Sequence, residues 1–132
     1  MRTGKPISRR PTRDYRAAER RGRAAELLCR WHLRLRGWRI LASDWRCPSG
    51  EIDIIARRGR VLAAIEVKAR DSIDAAVFAV TPRQRRRVAR AFEHFLAREP
   101  RHGRGRVLRF DVVLVARNRL PRHVADAWRS DD

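Results

Sequence analysis

Long apolar stretches are missing from this sequence. No run of 18 apolar residues occurs, so we expect no transmembrane helix. The arginine-rich start is not followed by the apolar stretch of a secretory signal, so we expect a cytoplasmic protein. Only two cysteines are present, Cys29 and Cys47, and with the four histidines they match no zinc-binding spacing. Both are interpreted as reduced thiols without a function of their own.

Acidic residues are scarce relative to basic ones. The 132-residue chain has 15 acidic and 33 basic residues, which gives a formal net charge of +18. This charge exceeds what solubility requires and creates a standing attraction for polyanions, which favours nucleic acid as the partner. An anionic membrane is not expected as a partner, because the sequence shows no strongly amphipathic basic helix with exposed aromatic residues.

Lysine is almost absent as well. Of the 33 basic residues only Lys5 and Lys68 are lysine, and the other 31 are arginine. Where any positive charge would serve, this chain uses arginine. Lys68 therefore calls for a specific explanation, with chance placement as the alternative.

The distribution of hydrophobic residues predicts the domain organisation. Residues 1–13 belong to a polar, basic start and are predicted to form a flexible arm. Residues 14–132 are predicted to form one compact domain, since a chain of this length has room for a single hydrophobic core.

Hydrophobic periodicity and turn residues predict seven elements in the order α-β-β-β-α-β-α. Thr81, Pro82 and Gln84 form a capping box at the start of the second helix, and Gly37 ends the first. This order predicts an α/β fold with a mixed sheet flanked by helices. The predicted elements are a helix over 14–36, a short strand over 38–41, strands over 51–56, 61–69 and 107–116, a helix from 81 to about 100, and a short helix over 123–129.

The two central strands read as a hairpin whose register can be worked out. Because strands alternate, one buried face must hold the aliphatic residues Ile52, Ile54, Ile65 and Val67. A tight turn at residues 59–60 then makes the numbers of paired residues sum to 119. This register sets Asp53 against Glu66 and Glu51 against Lys68 on the other face.

Two carboxylates opposed across a strand pair repel each other and cost stability. Either Asp53 and Glu66 share a proton, with one pKa raised, or a hard divalent cation such as Mg²⁺ lies between them. The alternative is that both acids are solvated and that Glu51 and Lys68 form a surface ion pair.

Four ordered motifs resemble the YraN family, also catalogued as UPF0102. They are GRAAE at 22–26, GEIDIIA at 50–56, EVKAR at 66–70 and RFDVV at 109–113. That family is regarded as predicted endonucleases, distantly similar to archaeal Holliday junction resolvases and to the restriction-endonuclease-like PD-(D/E)xK superfamily. The resemblance implies a restriction-endonuclease-like core and hydrolysis of phosphodiester bonds in DNA, at branched or structured sites, with Mg²⁺ or Mn²⁺ as cofactor.

The resemblance also implies roles for particular residues. Asp53, Glu66 and Glu26 would bind the metal, and Lys68 would be the catalytic lysine. This role explains Lys68, because an ammonium is a compact point charge that can approach water or a phosphoryl oxygen, whereas a guanidinium is a broad planar fork. Gln84 stands where the family commonly has a lysine, and its role as a helix cap remains the alternative. The role of Glu51 stays open, with a bond to Lys68 preferred, and Asp111 is interpreted as structural.

Arginines of the second helix and of the following basic loop are expected to contact phosphates, which positions the substrate without reading its sequence. They are Arg83, Arg85, Arg86, Arg87, Arg101, Arg104 and Arg106. The residues do not distinguish DNA from RNA. The alternative function is a nucleic-acid-binding protein with the nuclease fold but no significant catalysis. Resolvases cut two strands, so the resemblance also implies a homodimer.

Overall fold

The computed structural model describes residues 13–69, 80–116 and 118–130, with side chains of the first helix from residue 22 onward. The described residues form three helices and five strands, which confirms an α/β fold with a mixed sheet. In chain order they are α1 (Arg13–Leu35), β1 (Arg39–Cys47), β2 (Gly50–Arg58), β3 (Val61–Ala69), α2 (Pro82–Arg98), α3 (Pro100–Gly103), β4 (Val107–Val115) and β5 (Arg122–Trp128). Of the predicted arm, residues 1–12 lie outside the described residues.

The five strands form one sheet in the order β1-β2-β3-β4-β5. All neighbouring strands are antiparallel except β3 and β4, which run parallel and are connected through α2 and α3. The predicted hairpin register is confirmed from Arg58↔Val61 to Ile54↔Ile65, where paired numbers sum to 119. The pairing ends at Ile54, so the predicted continuation to residues 51–53 is not part of the ladder.

The predicted C-terminal helix over 123–129 is wrong. Arg122–Trp128 forms β5, which pairs antiparallel with β4 through Val124 and Val112. The aromatic ring of Trp128 stacks on Phe110 with ring centroids 4.0 Å apart. Pairing along the open edge of β4 and this stacking therefore decide the structure of a segment whose local pattern is weak. The first strand also differs from its prediction, since it continues to Cys47, beyond its predicted end at residue 41.

Both faces of the sheet are covered by helices. Helix α1 covers one face through Cys29 and Leu33, which pack with Ile54 and with the strand residues around it. On the opposite face α2 packs against the sheet with its buried residues Val88, Ala91, Phe92 and Phe95.

One element of the hairpin prediction fails at the centre of the sheet. Ile52 packs on the α2 side, whereas Ile54 and Ile65 pack on the α1 side. A regular strand would place Ile52 and Ile54 on the same face. The alternation is therefore broken at Asp53, where the ladder between β2 and β3 also ends.

Helix α1 carries a second apolar stripe that faces solvent. Four large apolar residues of this helix are not buried: Leu27, Leu28, Trp31 and Leu35 are 49%, 45%, 57% and 83% exposed. The guanidinium of Arg34 lies 6.0 Å from the ring centroid of Trp31. No helix of the described part of the chain is both long and apolar enough to cross a membrane.

The N-terminus of α2 has the predicted cap. Thr81 Oγ1 accepts a hydrogen bond from the backbone N–H of Gln84 at 3.2 Å, and Pro82 occupies the first helical turn. The helix also touches the start of β2 backbone to backbone, since a Cβ added at Gly50 would lie 2.8 Å from the carbonyl oxygen of Arg87. Only glycine fits at this position.

Candidate metal centre

The centre of the candidate site is Asp53, at the point where β2 and β3 separate. Its Oδ2 atom accepts a hydrogen bond from the backbone N–H of Val67 at 2.9 Å. The carboxylate thus takes the place of a backbone acceptor, which fixes it between the two strands. The break in strand alternation therefore has a local cause that the sequence pattern does not show.

Glu26 and Asp53 come together as the family resemblance implies, and a third acid joins them. One carboxylate oxygen from each of Glu26, Asp44 and Asp53 lies within 4.8 Å of the others. Glu26 reaches the cluster from α1 and Asp44 from β1.

Asp44 was missed at the sequence level. Its φ angle is +50°, in the left-handed region that aspartate and asparagine tolerate better than most residues. An aspartate inside an otherwise regular strand is the signal that could have marked it, since aspartate is depleted from strands.

Glu66 and Lys68 lie on the neighbouring strand and are nearly buried, with 6% and 9% of their surface exposed. By the alternation of β3 they share the face of Leu62 and Ala64, which is the α2 side. The Oε1 atom of Glu66 is buried and has no hydrogen-bond partner among the described residues. A buried acceptor without a partner is costly, and a cation is one way to satisfy it.

The electrostatics agree with the carboxylate repulsion predicted from the hairpin. The pKa of Glu66 is raised to about 8, first by burial and then by the Asp53 carboxylate, while Lys68 and a backbone hydrogen bond from Asp53 oppose the rise. The pKa of Glu26 is raised to about 7, first by burial and then by the nearby carboxylates of Asp53 and Asp44. The pKa of Asp53 is raised by burial, against the hydrogen bond from Val67 and the charge of Lys68.

These groups fit a hard divalent cation. Every donor is a carboxylate oxygen, which Mg²⁺ and Mn²⁺ prefer over nitrogen or sulfur ligands. The raised pKa values of Glu26 and Glu66 show that the protein alone does not stabilise the full negative charge. A cation would do so, and the buried Oε1 of Glu66 would gain a partner.

Glu51 is placed differently from its preferred interpretation. Its Oε2 forms an ion pair with Nε of Arg46 at 3.3 Å, and the two side chains are 60% and 76% exposed. The ladder on which the pairing of Glu51 with Lys68 rested ends at Ile54. Glu51 therefore belongs to the rim of the site.

The seven candidate phosphate-binding arginines separate into two groups. Arg83, Arg86 and Arg87 are exposed near the start of α2, and the backbone of Arg87 touches Gly50, three residues before Asp53. The second group lies beyond the other end of α2 and consists of Arg101, Arg104 and Arg106. There the backbone N–H of Val107 donates a hydrogen bond to the carbonyl oxygen of Arg60, in the β2–β3 turn, at 2.6 Å. This end of the hairpin is roughly 20 Å along β3 from Glu66.

Three of the seven arginines have intramolecular partners. Arg85 Nε donates to the carbonyl of Val80 at 3.2 Å, and Arg106 Nη1 donates to the carbonyl of His102 at 2.8 Å. Arg101 lies 3.7 Å from Glu99 in an exposed ion pair. Arg104 is exposed, and Gln84 is partly buried beside the helix cap.

Asp111 lies outside the carboxylate cluster and connects β4 to β5. It is fully buried and accepts hydrogen bonds from Arg109 (2.8 Å), His123 (2.6 Å) and the backbone N–H of Asp126 (2.9 Å). Burial acts to raise the pKa of Asp111, but these hydrogen bonds outweigh it and hold the pKa below its usual value. This geometry supports the structural interpretation.

The fold and this centre define an α/β protein with a cluster of carboxylates suited to a metal ion. The chain belongs to the family described as "Uncharacterised protein family UPF0102", whose profile matches residues 25–115. A UPF0102 protein of Parvibaculum lavamentivorans is 54% identical over 113 residues, 86% of this chain and 84% of the relative. A UPF0102 protein of Paramagnetospirillum magneticum is 49% identical over 125 residues, 92% of this chain and 96% of the relative.

Proposed function

We propose that this protein is an Mg²⁺- or Mn²⁺-dependent endonuclease that hydrolyses phosphodiester bonds in DNA. The observation that carries the proposal is the burial of Glu66 and Lys68 beside Asp53 and its acidic neighbours. Ionised carboxylates clustered in a chain of net charge +18 would repel phosphate unless a cation reverses the local charge. A protein that only binds nucleic acid gains nothing from such a cluster.

The residues divide the work of hydrolysis among them. Asp53, Glu66 and Glu26 would hold the cation, which would supply a Lewis acid and lower the pKa of a bound water molecule. Lys68 presents its ammonium beside Asp53 and Glu66, where it offsets negative charge that grows on the phosphoryl oxygens during attack. Water attacks phosphorus in line, the bond to the leaving oxygen breaks, and that oxygen takes up a proton.

The exposed arginines near the start of α2 supply the binding surface. Because the backbone of Arg87 contacts Gly50, this part of the helix lies beside the end of the hairpin that carries Asp53. Phosphate contacts by Arg83 and Arg86 would therefore hold a DNA strand next to the carboxylates without reading its bases.

The test is cleavage of branched, flapped and single-stranded DNA with Mg²⁺ or Mn²⁺, and with EDTA as the metal-free control. We expect cleavage by the wild type that Asp53→Asn and Lys68→Ala abolish, while DNA binding persists. Lys68→Arg should also fail to cleave, because a guanidinium keeps the charge but not the compact shape.

Asp126→Asn is the matched control, since it makes the same change from aspartate to asparagine on β5, three strands away from Asp53. It should cleave as the wild type does. Equal cleavage by the wild type and by Asp53→Asn would contradict the catalytic assignment. DNA binding without any metal-dependent cleavage would instead support the alternative, a nucleic-acid-binding protein of this fold.

A further inference from the structure

The end of the sheet opposite the carboxylates is rich in arginine. Six arginines lie there, at the end of α1, at the β2–β3 turn and in the loop before β4: Arg36, Arg57, Arg58, Arg60, Arg104 and Arg106. We call this set the turn-end surface. Of the set, the sequence pattern predicted phosphate contacts for Arg104 and Arg106 alone, and the proposed function uses the arginines near the start of α2 instead.

Hydrogen bonds join these arginines into one surface. Arg58 donates through Nη1 to the carbonyl oxygen of Arg36 at 3.3 Å, which connects β2 to the end of α1. The carbonyl oxygen of Arg60 accepts the backbone N–H of Val107 at 2.6 Å. Since Arg106 directly precedes Val107, the loop before β4 lies against the β2–β3 turn.

The positive charge of this surface acts on a histidine within it. The pKa of His102 is lowered first by burial and then by three neighbouring guanidiniums. They belong to Arg101, Arg57 and Arg106. The carboxylate of Glu99, in an exposed ion pair with Arg101 at 3.7 Å, opposes them. The fold therefore holds like charges close together, and a bound polyanion would offset their repulsion.

We propose that the turn-end surface binds double-stranded DNA through its phosphates, at a site separate from the candidate metal centre. The two sites are about 20 Å apart along β3, which corresponds to about six base pairs of a duplex. The inference rests on the proposed function for the choice of DNA as the nucleic acid. The binding surface itself can be measured without any cleavage.

The dimensions of the surface favour a duplex over a single strand. Arg58 lies on the α1 side of the sheet, with its guanidinium 4.8 Å from the ring centroid of Trp38. The loop with Arg104 follows α3, whose His102 stacks on Phe95 of α2 at 5.9 Å between ring centroids. The surface thus crosses the sheet and both helix layers, and packed layers about 10 Å apart make it about 20 Å wide.

Arginines spread over this width can reach phosphates on both sides of a major groove, which is about 12 Å wide. A single strand offers one row of phosphates and would occupy part of the surface. Duplex DNA also carries one negative charge for about every 1.7 Å of its axis. The position and the spread of the arginines therefore fit the backbone of a duplex.

The experiment measures binding of the full chain to a duplex of about 20 base pairs, long enough to reach both sites. Fluorescence anisotropy in EDTA gives the affinity over a series of salt concentrations. The test variant combines Arg60→Ala with Arg104→Ala, two exposed side chains. The matched control combines Arg119→Ala with Arg122→Ala, which are also exposed but lie at the opposite end of β4 and β5. Both variants lose the same charge.

We expect the test variant to bind at least about tenfold more weakly and to lower the magnitude of the slope of log affinity against log salt by about 2. The control variant should keep the wild-type slope. Arg60→Lys combined with Arg104→Lys should keep it too, because lysine retains the charge. Without DNA, the melting temperature of the test variant should equal or exceed that of the wild type, which separates loss of contacts from loss of folding.

Several results would overturn the inference. They are an unchanged slope in the test variant, an equal loss in the control variant, and binding to the corresponding single strand or to anionic vesicles that is tighter than binding to the duplex. The results also separate the inference from the proposed function. Metal-dependent cleavage with wild-type duplex binding by the test variant would uphold the nuclease and overturn the surface. Duplex binding that depends on Arg60 and Arg104, in a protein that cleaves no DNA, would do the reverse.

Discussion

At the scale of single residues, Glu66 is a carboxyl group whose ionisation the folded protein makes unfavourable. Its side chain is almost fully buried, and its pKa of about 8 means that the folded, metal-free protein keeps a proton there at neutral pH. In the unfolded chain the same carboxyl group returns to its ordinary value of 4.5. Any cation that binds to the carboxylate of Glu66 must therefore displace this proton.

This pKa difference predicts how the stability of the metal-free protein depends on pH. Because the folded pKa is raised, the contribution of Glu66 to stability is fully present below pH 4.5 and is lost as the pH rises towards about 8. Glu66→Gln cannot ionise. Relative to the wild type, it should therefore gain stability between pH 5 and pH 9, on the order of 2 kcal/mol because Asp53 shares part of the effect.

The measurement is urea unfolding in EDTA at both pH values. Asp126→Asn, whose carboxylate forms an exposed pair with Arg129, serves as the control and should show no such difference. A Glu66→Gln variant whose stability relative to the wild type is the same at pH 5 and pH 9 would contradict the raised pKa.

At the scale of elements, α1 has two apolar sides with different energetic roles. Leu33 is fully buried against the sheet, whereas Leu35, two residues later, is 83% exposed. We expect Leu33→Ala to lower the free energy of unfolding by about 2–5 kcal/mol. Leu35→Ala should change it by less than about 0.5 kcal/mol.

The pair is matched in residue type and in helix, so chemical unfolding of the two variants isolates the effect of burial. A similar loss of stability in both would show that the second stripe is also covered in solution. Leu33 and Leu35 would then contribute similar amounts of packing to the free energy of unfolding.

The elements that sequence patterns predicted correctly are those with local signals. The hairpin register follows from alternation and from the turn at Gly59, whose φ angle is +58°, and the start of α2 follows from Thr81 and Pro82. The β5 strand was not predictable in the same way, because it depends on the edge of β4 and on the stacking of Trp128 over a residue distant in sequence.

The residues of the candidate site also differ in how far the sequence could predict them. Asp53, Glu66 and Lys68 could be placed together from the hairpin, and Glu26 only through the family resemblance. Asp44 could not be found, because its approach to Glu26 depends on a left-handed backbone and on the packing of α1 over the sheet. The break in alternation at Asp53 likewise comes from a side-chain contact with Val67 that no residue pattern encodes.

At the scale of the whole molecule, the net charge of +18 predicts how the proposed binding of DNA depends on salt. If about six or more phosphates are contacted, the affinity for DNA should fall by about three orders of magnitude between 50 mM and 200 mM salt. The measurement is a salt series by fluorescence anisotropy with Asp53→Asn, which keeps the DNA intact. Replacing Arg86 by alanine should lower the slope of log affinity against log salt by about 1. An affinity unchanged across this range would contradict binding through phosphate contacts.

The contact between Gly50 and Arg87 has a mechanical consequence for the whole molecule. Main chain meets main chain there, with no side chain between them to absorb a shift. The start of β2 and the first half of α2 therefore hold a fixed position relative to each other. The distance between the arginine-bearing helix and the carboxylates is set by this joint, so a larger residue at position 50 would change the alignment of both at once.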